Sequence, residues 1–214
     1  MQRFLNGAAL IAVCLGLGAA ASASPFNLVA DGGFEEPAIS GDFTTYYATT
    51  QMGDWTITNG SVDLIHSYWT PSEGAQSLDL SGYTPGTIAS QTITTVPGGS
   101  YLLMFDMAGN PDRSYNKTMD VLWNGGTVLS PTFVQDGHSR TSMGWTTYSV
   151  LVHATGATST VGFKSTTPAA ANDLAAFGPA LDNVRLYAVP ESPSLLLLAP
   201  GLLPVAFLLR RRRA

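Results

Sequence analysis

Thr118-Met119-Asp120-Val121-Leu122-Trp123, then Asn124-Gly125, then residues 127–134, is the stretch that decides the fold class. Met119, Val121 and Trp123 fall on one side of an extended chain, because side chains alternate faces along a strand. Asn124-Gly125 supplies two residues that tolerate positive φ, as a two-residue hairpin loop requires. The reading is a hairpin.

The same pattern recurs outward in both directions. Short alternating or β-branched runs lie at 61–65, 77–80, 87–95, 101–107, 146–153, 159–164 and 181–188. Turn signals stand between them, including Pro97-Gly98-Gly99 and Gly109-Asn110-Pro111-Asp112. No window between Pro25 and Val189 sustains a 3.6-residue apolar period over three turns; 169–176 reads as a loop with one helical turn. Many short strands at regular spacing predict an all-β sandwich or barrel. Trp55, Trp145 and Phe105 are expected in its core.

Both ends differ from this middle. At the N-terminus, Arg3 precedes an apolar and small-residue stretch, and Ala21-Ser22-Ala23 forms an A-x-A site. Residues 1–23 therefore read as a signal peptide, cut between Ala23 and Ser24. The only cysteine, Cys14, lies inside this leader, so the mature chain has no disulfide. Val13 before it is too bulky for a lipidation site. At the C-terminus, a proline-rich break (189–194) leads into an apolar segment (195–209), followed by Arg210, Arg211, Arg212 and Arg213. Lipid accepts the apolar part, and four guanidiniums cannot follow it across. At ~1.5 Å per residue the segment falls short of a ~30 Å hydrocarbon core, which suits a transient stop better than a permanent span.

The charge balance follows from removing these ends. Arg3 and the four terminal arginines account for five of ten basic residues, and Glu191 for one of fifteen acidic ones. The domain, 24–188, thus carries about −9. Nucleic acid is not an expected partner, since phosphate contacts need clustered Lys and Arg. Catalytic signatures are equally scarce. His66, His138 and His153 are scattered, and neither H-E-x-x-H nor G-x-S-x-G occurs. The expectation is a protein without enzymatic activity; a carbohydrate-active enzyme using Asp63 and Asp79 is the alternative from another class.

Two resemblances refine this picture. Pro190-Glu191-Ser192-Pro193, the apolar segment and the arginine run (189–214) resemble the PEP-CTERM sorting signal of Gram-negative bacteria, with a serine at the motif's third position and the proline one place later. That resemblance implies an exosortase-type processing enzyme as partner, passage through the inner membrane by the C-terminal segment, and a final place at the cell surface or in the extracellular matrix. An ordinary C-terminal anchor helix is the alternative. The domain resembles the choice-of-anchor C family, on Asn27 to Pro37 (NLVADGGFEEP), Ser61-Val62-Asp63-Leu64-Ile65, Gln76-Ser77-Leu78-Asp79-Leu80-Ser81-Gly82 and Gly178-Pro179-Ala180-Leu181-Asp182-Asn183-Val184.

The second resemblance implies a galactose-binding-like jelly-roll β-sandwich. It also implies a structural calcium site, with Glu35 and Asp182 as ligands and Asp31 or Glu36 as a helper. For a sugar ligand, aromatic faces near loops or strand ends are the candidates: Trp69 and Tyr83 above all, then Tyr68, Tyr115 and Trp123. The expected role is an exported surface or matrix protein that binds or holds exopolysaccharide, with a purely structural coat or biofilm component as the alternative.

Overall fold

The computed structural model describes residues 26–168 and 175–190. Within them lie β1 (Phe43–Tyr47), β2 (Gln51–Met52), β3 (Trp55–Asn59), β4 (Ser61–Ile65), β5 (Ser77–Asp79), β6 (Thr87–Ser90), β7 (Ile93–Thr94) and β8 (Ser100–Gly109). After these come β9 (Lys117–Trp123), β10 (Gly126–Leu129), β11 (Thr132–Phe133), β12 (Thr146–His153), β13 (Thr158–Ser159), β14 (Val161–Ser165) and β15 (Pro179–Val189). One sheet has the order β1-β4-β5-β15-β8-β12, the other β10-β9-β14-β6-β3-β2, with β11 alongside β9; β7 and β13 form a separate pair. Every pairing is antiparallel. Among the described residues no helix is long and apolar enough to cross a membrane.

The decisive hairpin is present. Gly126 pairs with Trp123, leaving Asn124 (φ 52°) and Gly125 (φ 79°) as the two-residue loop. Asn124 also exchanges hydrogen bonds with Thr160, its N–H donating to the carbonyl at 3.0 Å and its Oδ1 accepting from the amide at 2.8 Å. The turn is thereby pinned to the start of β14.

Register sorts the side chains into two faces. Leu64, Leu78, Leu181 and Met107 align across four strands of the first sheet, and Ile57, Ile88, Phe163 and Val121 across four of the second. All eight are fully buried, and Phe105 meets Phe163 edge-to-face at 5.2 Å between the sheets. The molecule is an all-β sandwich, as the strand spacing predicts. Trp55 and Phe105 are core residues, whereas Trp145 is only half-buried and donates from Nε1 to the Thr70 carbonyl at 3.0 Å.

Several boundaries differ from the sequence expectation. The 87–95 run divides into β6 and β7, which belong to different sheets, and 127–134 is broken at Ser130-Pro131. Proline has no N–H for the ladder, so the strand restarts as β11. β1 and β3 lie in a region where no run is expected. Thr44, Thr56, Thr58 and Asn59 are exposed, which weakens the apolar signal of a strand lying near a sheet edge.

Candidate functional site

The outer face of the first sheet carries polar residues in register. Thr45, Asp63 and Asp79 are direct cross-strand neighbours on β1, β4 and β5. One row along lie Asp182 and Asp106, paired across β15 and β8, with Thr147 opposite Asp106 on β12. A side chain pointing away from the core of a sandwich is ordinarily free in water. Here loops fold back over the sheet and enclose several of these groups.

Asp79 is almost fully enclosed, at 1% exposure. Its Oδ1 accepts from the amides of Ser81 (2.9 Å) and Gly178 (3.1 Å), and its Oδ2 from Asn110 Nδ2 (2.8 Å). Gly178 is required for this approach: a Cβ there would lie 2.4 Å from Ser81 Oγ and 2.7 Å from Asp79 Oδ1. Burial pushes the Asp79 carboxyl well above its ordinary value, against its hydrogen bonds and with the neighbouring Asp63 charge. Asp63 accepts from Thr45 Oγ1 at 2.6 Å, and burial raises it too.

Aromatic rings build a wall around this pair. Trp69 is almost fully buried and donates from Nε1 to Ser77 Oγ at 2.8 Å. The Tyr68 ring stands beside it at 5.8 Å, with Phe43 edge-on at 5.6 Å. The Tyr68 hydroxyl donates to Asp112 and accepts from Arg140, whose guanidinium lies 3.8 Å over the ring and pairs with Asp112 at 2.6 Å. At the rim, Tyr83 is 61% exposed and stacked on Tyr47, with centroids 6.2 Å apart and planes 7° from parallel. Phe43, Tyr68, Trp69 and Tyr83, with Asp63, Asp79, Asn110 and Phe177 among others, line a pocket of about 150 Å³. An engineered protein cavity of about that size takes a benzene molecule, so one six-membered ring fits.

Both aromatic residues singled out for a ligand, Trp69 and Tyr83, therefore line one pocket, and Tyr68 joins them. Tyr115 and Trp123 do not: Tyr115 packs under Lys117 Nζ at 3.7 Å, and Trp123 donates to the His153 carbonyl at 3.0 Å. Phe43, Thr45, Asn110 and Phe177 were not legible beforehand. The turn signal at Gly109-Asn110-Pro111-Asp112 marks a bend, and only the fold shows that Asn110 reaches back to Asp79.

The expected calcium ligands behave differently. Glu35 Oε1 accepts the amides of Ala75 (2.8 Å) and Gln76 (3.1 Å), while Asp182 Oδ2 accepts those of Ser72 (2.7 Å) and Glu73 (3.0 Å). Two carboxylates from opposite ends of the chain thus clamp the 72–76 loop. Asp31 Oδ1 accepts the amides of Glu35 and Glu36 at 2.8 and 3.2 Å, and its Oδ2 is buried without a partner. The oxygens face N–H dipoles, which attract anions and repel cations, and among the described residues no group of three or more His, Cys, Asp or Glu is placed to hold a metal ion. Glu35 Oε1 and Asp182 Oδ2 are thus engaged with backbone amides, while Asp31 Oδ2 keeps no protein partner. Burial pushes Asp182 up to about 7 and Asp31 up to about 6, in each case against the amide hydrogen bonds.

The signal-cleavage residues Ala23 and Ser24, and Glu191 with Arg210, Arg211, Arg212 and Arg213, lie outside the described residues; Pro190 is exposed at the end of β15.

A family model described as a protein of unknown function, DUF642, matches residues 27–187. The chain belongs to the DUF642 family. Halomucin of Haloquadratum walsbyi is 28% identical over 172 residues, which cover 77% of this chain and 2% of that protein. Among solved structures, CBM35 from Paenibacillus barcinonensis is 24% identical at a TM-score of 0.44, covering 68% of this chain and 99% of that one. A family 35 carbohydrate-binding module from Clostridium thermocellum is 20% identical at 0.45, covering 70% and 100%.

Proposed function

We propose that this DUF642 protein is an exported, non-catalytic carbohydrate-binding module that holds extracellular polysaccharide through the pocket on its first sheet. The observation that supports this most is the union of aromatic walls and fixed polar groups around a space sized for one ring. Sugar rings stack their C–H faces on aromatic side chains, and amides and carboxylates take the hydroxyls. Asp63 and Asn110 supply those polar groups at the floor, Trp69 and Tyr68 the wall, and Tyr83 the rim. The volume suits one terminal sugar residue better than a long groove-bound chain.

Hydrolysis is a weaker reading of the same carboxylates. A glycosidase needs two carboxyl groups that both reach the scissile bond. Asp79 is enclosed, and its two oxygens accept three N–H groups. It is a structural partner of the pocket floor.

Export and sorting are part of the proposal, supported by the leader at 1–23 and the PEP-CTERM-like tail at 189–214. An exosortase-type enzyme removes the tail after translocation. Intact-mass spectrometry of the exported protein is expected to find Ser24 first and a C-terminus before Leu195; a mass that includes Arg210 to Arg213 refutes the cleavage. The binding reading is tested by a glycan array and calorimetry on the exported protein. Tyr83→Ala is expected to weaken binding of any sugar found by about tenfold without changing the melt, as loss of one stacking face.

A further inference from the structure

Asp63 and Asp79 sit side by side on one sheet face, where like charges directly opposite each other are destabilising. Among the described residues no lysine or arginine forms a salt bridge with either. Arg140 and Arg185 pair with Asp112 and Asp106, and Lys117 Nζ donates to the carbonyls of Arg113 and Tyr115. The partners of the pair are neutral: Thr45 for Asp63, and Asn110 with two backbone amides for Asp79. Asp63 lines the pocket, and its Oδ2 has no protein hydrogen bond among the described residues. Burial raises both carboxyls, as it must where no cation is at hand.

The surroundings restrict what could neutralise the pair. Phe43, Tyr68, Trp69 and Tyr83 present ring surface, which attracts organic cations through the quadrupole of the ring. A hard metal ion wants six or more oxygens, and these walls offer few. A carboxylate-bearing sugar would face two carboxyls in a partly enclosed space.

We propose that the pocket selects a terminal amino sugar with a free ammonium group, a de-N-acetylated hexosamine, seated with its nitrogen at Asp63 Oδ2 and its ring against the aromatic wall. This rests on the carbohydrate-binding reading above and specifies its ligand.

Calorimetry on the exported protein, with glucosamine-terminated, N-acetylglucosamine-terminated and glucuronate-terminated oligosaccharides as probes, tests it. The expected order is ammonium form tightest, N-acetylated form about tenfold or more weaker, and uronate undetectable. Asp63→Asn, which keeps the acceptor for Thr45, is expected to erase the ammonium preference. If that variant does not fold, salt decides with the wild type: added NaCl is expected to shrink the preference, because it screens a charge–charge contact. Equal or tighter binding of the N-acetylated or uronate probe overturns the amino-sugar assignment and leaves the carbohydrate reading standing. Failure of every saccharide overturns both. Calcium chloride binding alone, lost in Asp63→Asn, would replace the ammonium with a metal and also overturn it.

Discussion

Asp79 shows how much one residue does here: three N–H groups from three separate segments end on its two oxygens. Replacing it by alanine leaves those donors buried and unpaired, so Asp79→Ala is expected to cost roughly 3 kcal/mol in urea unfolding. Asp182 and Asp31 act on pH dependence. Each binds its proton more tightly in the folded chain than at the ordinary value of 3.8, at about 7 and about 6. The stability they contribute is complete below 3.8 and lost as pH rises through 6 and 7. Asp106 and Asp112 work in the opposite sense. Burial opposes their ionisation, but hydrogen bonds from Ser72 and Arg140 lead the effects that hold them below the ordinary value, so their contribution vanishes as pH falls beneath it. Scanning calorimetry should find the highest melting temperature between roughly pH 4 and 6. A melt that climbs steadily from pH 5 to about 8 contradicts the burial of Asp182 and Asp31 as uncompensated acids.

Two elements carry the geometry of the outer face. The ladder between β15 and β8 shifts register between Asp182 and Arg185, and Asn183 adopts φ 52° at that bulge. The extra residue lets Asp182 and Asn183 both serve the outer face while Val184 returns to the core; Asn183 Nδ2 donates to Asp106 Oδ2 at 2.9 Å. Asn183→Val combines a β-branched residue at positive φ with loss of that bond, and a cost of about 2 kcal/mol by thermal melting is expected. The 72–76 loop is the second element, held by Glu35 and Asp182 through four backbone amides. Glu35→Ala is expected to loosen it, seen as faster amide exchange at Ala75 and Gln76, and calcium or chelator is expected to leave the wild-type melt unchanged. A melting temperature that rises with calcium would instead support the metal expectation. The strands at 61–65 and 146–153 were legible to the residue because both faces keep their pattern. β1 and β3 were not, since their outer positions hold threonine and asparagine and blur the apolar alternation, although Asn59-Gly60 does mark where β3 ends.

At the scale of the whole molecule, two sheets bury one contiguous apolar layer, and Phe105 against Phe163 joins them. Phe105→Ala should cost about 3–5 kcal/mol and lower the melt without moving the pocket residues. Alternation, β-branched residues and the Asn124-Gly125 turn determined the all-β class by themselves, because the two-residue period and the need for positive φ are local properties. The aromatic candidates Trp69 and Tyr83 were also readable, as large rings beside turn residues. Which of those rings share a wall was decided only by tertiary structure. Thr45, Asp63, Asp79 and Asn110 span sixty-five positions of chain and become neighbours through strand order and register, quantities that no local pattern encodes. The same holds for Glu35 and Asp182: their acidity is plain in the sequence, but whether a carboxylate meets a cation or an amide depends on what the fold brings to it.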